Sequence, residues 1–516
     1  MIRTLASNTL NHGGRVLILF LLFLLALYQF SSTGFTGFAA VCLIPAVIVF
    51  VFLAVKHQNA LFWYIFTANY FVMGLQRYGY IPPSIPITAV TVLPQLLLLM
   101  AILIYPRPRK NKMGTPMLLA ILLWTSYLVL QLFNETCGLP ISVGNWLTNM
   151  NFYSFYFIIT YILINNIVNT PQNIMRFMRI WACFSMAAAF WAWRQKTFGW
   201  DNTEWIWLMS GGMRTHIIGG SIRYFSFFSD AATFGCTIAA SAVIFFIIAL
   251  TTKLKKDKIL FGIAGLLCSY GFFVSGTRTA LVCFIMGVFL YIFLSRSLRL
   301  ALFVTIAGGL FVFFLAGTNI GNGNMQIRRM RSAFDTKDAS KNVRDMNKEA
   351  LKKYLRDAPF GMGINIDENT IPAFNKFKVV YQTPNDSTYV FFWQRTGIVG
   401  VYVFSIMNII ILAGGCLITL LRLKSKNCKG LAAGLCCAFL AIQVGGYANH
   451  ILLQYPNIIL FYGGMTIVYL LPAIEEDFIK FEEEKIAIQE EKKRLRLEKL
   501  ENMRVKPWYS WLYKYL

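Results

Sequence analysis

Apolar positions in this chain form continuous runs; they neither alternate with polar ones nor repeat along one helical face. Many runs extend for about 20 residues without a charge, which is the length that an α-helix needs to cross a bilayer. Transmembrane strands would instead show apolar and polar positions in alternation. The pattern therefore predicts an all-α polytopic membrane protein with about 12–14 transmembrane helices.

The predicted spans cover most of the chain and leave one long segment between them. Their edges are 16–33, 37–55, 60–78, 86–105, 115–133, 151–168, 178–197, 231–250, 259–275, 279–295, 300–317, 397–421, 430–449 and 454–472. This pattern divides the chain into transmembrane helices with short loops at 1–317, a large loop at 318–396, C-terminal transmembrane helices at 397–472 and a charged tail at 473–516.

The composition agrees with a membrane protein, and the charges indicate its orientation. The chain is 57% hydrophobic and 14% charged, whereas soluble proteins carry roughly 25% charged residues. A net charge of +25 would suggest nucleic acid for a soluble protein. Here the basic residues cluster in short loops, so we expect no nucleic-acid partner. With the N-terminus in the cytoplasm, the basic loops 107–112, 253–258, 296–299 and 422–429 all face the cytoplasm, and so does the tail.

The same alternation places the longest connections outside the membrane, opposite the basic loops. These are 134–150, 198–230, the turn at 276–278 and the stretch 318–388. Long loops without a function are uncommon. Within 318–388, apolar residues recur at helical spacing and predict an amphipathic helix over 341–357. We therefore expect the functional site on the extracytoplasmic side.

Cysteine and histidine spacing offers no sign of a metal or disulfide framework. Most of the ten cysteines fall in apolar runs, and the chain has neither a CxxC nor an HExxH sequence. It also lacks a P-loop and a GxGxxG followed by an acidic residue. The sequence therefore predicts no metal and no cofactor.

Arg278 separates two apolar runs, where an arginine at the bilayer centre would cost between about 3 and about 17 kcal/mol. The predicted turn places it at the outer water boundary instead. One interpretation is an anchor that holds two helix ends at the interface. The other is a functional charge, because Arg223 and Asp230 lie on the same side. Ser229 or Asp230 is a plausible N-cap for the next span, whose free N–H groups also suit an anion.

Further arginines lie in the large outer loop. Arg344 is one turn into the predicted helix, and Arg328, Arg329 and Arg331 form a cluster upstream. Surface charge is the simpler interpretation of this loop. Several arginines on one side also suit a diphosphate, because guanidinium groups bind phosphate oxygens in a bidentate way and stay charged.

An enzyme that breaks a sugar–diphosphate bond must stabilise negative charge on the leaving group, and fixed cations can do this. It also needs a base for the proton of the attacking hydroxyl. The outward candidates for this base are Asp386, Asp230 and His216.

Three stretches, taken in order, resemble the O-antigen ligase and O-antigen polymerase superfamily of bacterial envelope enzymes. They are "RYFSFFSDAATFG" (223–235), "SGTRTAL" (275–281) and the outer loop "VRDMNKEALKKYLRDAPFGMGI" followed by "NDSTYVFFWQRTGIVG". The resemblance covers about 220–410. It implies an all-helical membrane glycosyltransferase of the GT-C type in the bacterial plasma membrane. Such an enzyme transfers a glycan from undecaprenyl diphosphate to an acceptor hydroxyl, with inversion and without a metal.

The resemblance also implies roles for particular residues. Arg223 and Arg278 would hold the diphosphate, and Arg344 would contact substrate or diphosphate. Apart from the resemblance, we also expect Asp230 and Tyr389 at the substrate. Asp386 stands where many relatives have a histidine. A carboxyl group with its ordinary pKa near 4 is a weak base at neutral pH, so His216 stays open as an alternative. The acceptor, either another lipid-linked glycan or a lipid core, is not distinguished.

Two other interpretations remain open from the sequence. A flippase or transporter for lipid-linked precursors would use the same basic residues, and Arg77, Arg194 and Gln443 do fall in or near spans. A non-catalytic scaffold would use the charged tail to recruit other polysaccharide-assembly proteins. The concentration of polar residues at the outer rim favours the enzyme.

Overall fold

The computed structural model describes residues 21, 23–25, 28 and 49–502, except 83, 107–114, 219–220 and 333–338. The predicted span 16–33 and most of 37–55 lie outside the described residues, as does the end of the tail. The chain divides into two compact units, Met1–Tyr64 with Val92–Arg107 and Ile65–Thr91 with Pro108–Leu516. The candidate site lies in the second unit.

The described residues are overwhelmingly helical. The helices are α1 (Val49–Lys56), α2 (Gln58–Arg77), α3 (Ile87–Ile104), α4 (Pro116–Leu130), α5 (Val143–Met150), α6 (Tyr156–Ile167), α7 (Pro171–Phe198), α8 (Asn202–Trp207), α9 (Met213–His216), α10 (Ala231–Thr251), α11 (Lys255–Val274), α12 (Arg278–Ser295), α13 (Leu298–Gly317), α14 (Met325–Arg331), α15 (Ala339–Leu355), α16 (Lys376–Gln382), α17 (Thr388–Leu417), α18 (Lys426–Ala448) and α19 (Gly463–Asn502). Two short strands, β1 (Ile217–Ile218) and β2 (Ser221–Ile222), pair antiparallel.

The predicted all-α polytopic fold is confirmed. Within the described residues, nine helices are long and apolar enough to cross a membrane, judged by length and composition. They overlap the predicted spans 86–105, 115–133, 151–168, 231–250, 259–275, 279–295, 397–421, 430–449 and 454–472. The predicted spans 60–78, 178–197 and 300–317 also fall on helices, namely α2, α7 and α13.

The second unit has two chemically different ends. We call one the loop end; it carries the turn at 275–277, the start of α17 and the turn at 449–457. The opposite end is the basic end, which carries the connections at 252–254, 296–297 and 423–425. There the Glu475 carboxylate accepts from the backbone N–H groups of Lys424 and Ser425 at 2.7 and 2.6 Å. The basic connections within this unit therefore share one end, as the sequence predicts.

Helix α12 packs closely against α10 and α18 because Gly287 has no side chain. A Cβ there would lie 3.0 Å from Val243 Cγ2 and 3.2 Å from the backbone oxygen of Cys437. Arg278 begins α12 and Asp230 precedes α10, so this packing helps to fix both residues at the loop end.

The large loop has a hydrophobic core of its own. The predicted amphipathic helix over 341–357 is confirmed as α15, Ala339–Leu355. Leu351 and Leu355 of this helix are buried with Met362, Phe377 and Val380. Because these side chains are removed from water together, the segment 339–382 is packed and is not an open connection. We call this segment the cover.

The cover is fastened to a break in α17. Gly397 has φ 69°, a value that favours glycine, and it interrupts the helix. The carbonyl oxygens of Gln394 and Arg395 accept from the N–H groups of Met362 and Gly363, both at 2.9 Å. The helix thus begins at Thr388, earlier than the predicted span start at 397, and the loop fills its break.

Candidate functional site

The segment before α10 is held by Arg77, which reaches it from the end of α2. The guanidinium donates to the carbonyl oxygens of Ser226 at 3.0 Å and Phe228 at 2.6 Å. It also lies over the rings of Trp207 and Phe225, with 4.2 and 4.4 Å to the ring centres. Arg77 therefore shapes the chain that leads into Asp230.

Asp230 caps α10, as predicted. Its Oδ1 accepts from the N–H groups of Ala232 at 2.7 Å and Thr233 at 2.9 Å. Its Oδ2 accepts from the hydroxyls of Ser229 at 2.9 Å and Thr233 at 2.6 Å. Burial raises the pKa of this carboxyl, but the hydrogen bonds and the Arg223 charge outweigh burial, so the net pKa lies below its ordinary value. Asp230 is thus an ionised cap with both oxygens in use.

His216 also serves the start of α10. Its Nε2 accepts from the Ala231 N–H at 3.2 Å, which leaves Nδ1 to donate to the Gly212 carbonyl oxygen at 2.9 Å. Burial, followed by the charges of Arg223 and Arg77, lowers the pKa of His216 to about 4 against the Gly212 hydrogen bond and the Asp230 charge. The imidazole is therefore neutral at pH 7, and both of its nitrogens have protein partners.

Arg223 follows the β1–β2 hairpin and spans two elements. Its Nη1 donates to the Thr215 carbonyl oxygen at 3.0 Å and its Nη2 to the Thr277 hydroxyl at 3.0 Å. Its Nε is buried and has no protein partner among the described residues. Burial lowers the pKa of Arg223, and among the charges Asp230 raises it while Arg344 and Arg278 lower it. The guanidinium is thus within electrostatic reach of both arginines.

Arg329 of α14 binds the turn between α11 and α12, close to Arg223. Gly276 has φ 61°, and its carbonyl oxygen accepts from Arg329 Nε at 2.6 Å. A Cβ on Gly276 would lie 3.5 Å from Arg329 Cδ and 3.6 Å from Arg223 Cγ. The two side chains therefore flank the glycine from different parts of the chain.

Arg278 is the first residue of α12, directly after this turn. Its Nη1 donates to the carbonyl oxygen and hydroxyl of Ser332 at 3.1 and 3.3 Å. Ser332 is the C-cap of α14, the helix that carries Arg329. Arg223, Arg278 and Arg329 thus converge on the turn at 275–278. We call these three residues the arginine cluster.

The basic group upstream of α15 divides in the structure. Arg331 organises its own loop through Asn322 Oδ1 and the Ile320 carbonyl oxygen, both at 2.6 Å. Arg328 is exposed. Of these three arginines, Arg329 alone donates to the Gly276 turn among the described residues. The sequence grouped these arginines without distinguishing Arg329, because its role depends on which side of α14 faces the turn.

Asp386 lies at the loop end, just before α17. Asn347 of α15 donates to its Oδ2 at 3.4 Å, and Arg344 precedes Asn347 by almost one turn of that helix. The next residue, Ser387, caps α17 by accepting from the Val390 N–H at 3.0 Å. The Asp386 carboxylate is half-buried beneath the cover and has only this weak hydrogen bond among the described residues.

Tyr389 lies one residue into α17 and faces the bundle. Its hydroxyl donates to Gln443 Oε1 at 3.3 Å, and its ring centre lies 6.4 Å from that of Tyr447. Lys348 of α15 lies over the Tyr447 ring at 5.2 Å. Tyr389 therefore belongs to a layer of aromatic side chains beneath the cover.

The polar residues that suggested a path through the bilayer have protein partners. Arg194 pairs with Glu204 at 2.8 Å and with Asp201 at 3.3 Å. Gln443 donates to Asn408 Oδ1 and to the Tyr462 hydroxyl, both at 3.2 Å. Their hydrogen bonds serve packing between helices.

Fold and site define a multi-pass membrane protein that carries an arginine cluster and a packed loop at the same end. Residues 263–405 match the family model described as O-antigen ligase. The match confirms the resemblance to the O-antigen ligase and polymerase superfamily, and it supports a glycan ligase or polymerase type of function. It includes Arg278, Arg329, Arg344 and Asp386, whereas Arg223 lies before it. A search of curated proteins found no match to the chain.

Proposed function

We propose that the protein is a GT-C-type glycosyltransferase that moves a glycan from undecaprenyl diphosphate to an acceptor hydroxyl on the outer face of the bacterial plasma membrane. It would act as a polymerase of O-antigen, capsule or exopolysaccharide, or as an O-antigen ligase. The observation that carries the proposal is the arginine cluster around Gly276. Its partners are the lipid-linked donor, the glycan or lipid acceptor, and membrane lipid.

The arginine cluster suits the leaving group. When the sugar leaves, the bond between its anomeric carbon and the diphosphate oxygen breaks, and the electron pair stays on that oxygen. Fixed guanidinium groups stabilise this charge, and the effect is larger where water is excluded. The Arg223 Nε, which has no protein partner in the part of the chain that the structure describes, offers a buried donor for a phosphate oxygen. We assign no step to a metal.

Asp386 is the base in this proposal. The acceptor oxygen attacks the anomeric carbon from the face opposite the diphosphate, so the configuration inverts, and its proton passes to the carboxylate. The other candidates are already occupied, because Asp230 accepts four hydrogen bonds and His216 has partners on both nitrogens. Asp386 has one weak hydrogen bond among the described residues. Arg344 and Tyr389 would contact the substrate beneath the cover.

The orientation of the chain supports an outward site. The arginine cluster lies at the loop end, opposite the basic connections at 253–258, 296–299 and 422–429. Basic connections of this kind are retained in the cytoplasm. The loop end would therefore face the extracytoplasmic side, where lipid-linked glycans are assembled into polymers.

The direct experiment is glycan transfer by the purified protein in lipid vesicles, with an undecaprenyl-diphosphate-linked glycan presented to the loop end. The wild-type protein should lengthen or transfer the glycan. Arg278→Ala should reduce the rate by roughly 100-fold or more, as loss of a charge-stabilising donor does. Arg422→Ala removes an exposed arginine at the basic end and is the matched control.

Two results would contradict the proposal. The first is Arg278→Ala protein that inserts normally and transfers glycan at the wild-type rate. The second is wild-type protein that moves the lipid-linked glycan between leaflets without transferring it, which is the behaviour of a flippase.

A further inference from the structure

The turn between α18 and α19 carries two buried polar atoms that have no protein partner among the described residues. They are Asn449 Nδ2 and His450 Nδ1. A buried donor or acceptor without a partner costs about 1–3 kcal/mol, and native structures contain few of them. Two on adjacent residues therefore call for a partner beyond the described residues.

Backbone and side-chain hydrogen bonds hold this turn in place. The Asn449 carbonyl oxygen accepts from the Thr388 N–H at 3.3 Å, and the Thr388 hydroxyl accepts from the Ile451 N–H at 3.2 Å. Asn457 Nδ2 donates to the Ile451 carbonyl oxygen at 2.7 Å and its Oδ1 accepts from the Thr237 hydroxyl at 2.7 Å. Asn449 Nδ2 and His450 Nδ1 thus lie on a hydrogen-bonded frame that includes residues of α10 and α17.

The frame places the turn at the proposed active site. Thr388 is two residues after Asp386, and Thr237 lies two turns along α10 from Asp230. The ring centre of His450 lies 4.5 Å from that of Phe391. The turn therefore packs against α10 about two turns from Asp230, and against the start of α17, which follows Asp386.

His450 is a neutral hydrogen-bonding group. Burial and the Arg395 charge lower its pKa to about 4, although the Asp230 charge acts in the opposite direction. A neutral imidazole donates from one nitrogen and accepts at the other, and the Asn449 amide nitrogen donates. A diphosphate is bound best by cations, whereas the hydroxyl groups of a sugar both donate and accept.

We propose that Asn449 and His450 bind hydroxyl groups of the glycan on the lipid-linked donor, between the diphosphate at the arginine cluster and the acceptor at Asp386. The pair acts as a specificity site. It selects donors whose sugar presents a hydroxyl to both atoms, because a sugar without one leaves the two atoms buried and unpaired. This inference rests on the proposed function for the identity of the ligand.

The test compares two ligands in binding to the full-length protein in lipid nanodiscs. One is undecaprenyl diphosphate, and the other is the same lipid carrying its glycan. In the wild-type protein the glycan should tighten binding. His450→Leu should reduce this gain roughly ten-fold, as loss of a hydrogen bond to a buried partner does, without changing the affinity for undecaprenyl diphosphate. His450→Asn keeps a polar atom near the position of Nδ1 and should recover most of the gain.

His57→Leu, which replaces an exposed histidine, is the matched control. Asn449→Leu should repeat the effect of His450→Leu. The inference is overturned if His450→Leu leaves the gain unchanged, or if it weakens both ligands equally, as a merely structural residue would. The binding measurement tests this inference, whereas glycan transfer tests the proposed function, so the two can fail separately. Wild-type protein that shows the gain but transfers no glycan contradicts the transferase alone.

Discussion

Arg223 donates from Nη2 to the hydroxyl of Thr277 at 3.0 Å. Thr277 directly precedes Arg278, so this bond holds the Arg223 guanidinium next to the start of α12. Thr277 in turn donates to the Ala231 carbonyl oxygen at 2.9 Å, in the first turn of α10. The turn between α11 and α12 is therefore tied to the segment that carries Asp230. This connection explains how Arg223 and Arg278, which are distant in sequence, lie near the same turn.

Arg329 should contribute to transfer as Arg278 does. Arg329→Ala removes the charge beside Gly276, and we expect the kcat/KM for glycan transfer to fall between roughly 10- and 100-fold. Arg328→Ala removes an exposed arginine from the same helix and should leave the rate near that of the wild type. Equal losses in both variants would show that overall loop charge, and not position, is what matters.

Gly276→Ala should disturb the cluster through the backbone. A Cβ at this position has room, since its nearest neighbours lie 3.5 and 3.6 Å away. The φ of 61°, however, costs an alanine about 1 kcal/mol or more. We expect a small loss in melting temperature and a larger loss in undecaprenyl diphosphate affinity, because relaxation of the turn moves both flanking arginines. Gly308→Ala, within α13 and with open space around it, is the control. Unchanged affinity in Gly276→Ala would separate the turn from ligand binding.

Asp386→Asn should separate binding from chemistry. The amide keeps the shape of the carboxylate but cannot take the acceptor proton. We expect kcat for transfer to fall roughly 100- to 10,000-fold while donor affinity stays within about two-fold. Asp345→Asn changes an exposed carboxylate on α15 and controls for lost negative charge in the cover. If the transfer rate of Asp386→Asn matches that of the wild type, another residue is the base.

His216 should make the protein less stable in mild acid. Its pKa is about 4 in the folded protein, against about 6.5 when unfolded. The unfolded chain therefore binds the proton first, and stability falls as the pH drops from about 6.5 towards 4. Between pH 7.5 and pH 5 the loss is roughly 1–2 kcal/mol. His216→Gln retains an acceptor for the Ala231 N–H without titrating, so its melting temperature in detergent should change less over this range.

The exposed His57→Gln controls for the removal of an imidazole. If His216→Gln loses as much melting temperature as the wild type between pH 7.5 and pH 5, the acid sensitivity arises elsewhere in the protein.

The sequence predicted those features that depend on local pattern. Continuous apolar runs predicted the membrane-spanning helices, and helical periodicity predicted α15 within two residues at each end. The cap at Asp230 followed from a short polar residue before an apolar run. Each of these depends on interactions between residues that are near in sequence.

Features that depend on distant contacts were not accessible in the same way. The break in α17 at Gly397 is filled by the segment around Met362, and no local signal indicates that pairing. The difference between Arg328 and Arg329 depends on the position of α14 against Gly276. Nothing in the sequence distinguishes Asn449 and His450, because the lack of partners for their side-chain nitrogens among the described residues is visible only when the surrounding side chains are placed.

The central claim is that the arginine cluster binds a diphosphate, and a structure of the full-length protein with undecaprenyl diphosphate in a lipid nanodisc tests it most directly. We expect phosphate density against the Gly276 turn, with oxygens within hydrogen-bond distance of Arg223 and of Arg278 or Arg329. Diphosphate density at another position, with all three guanidinium groups still bound only to protein, would contradict a diphosphate site at the arginine cluster.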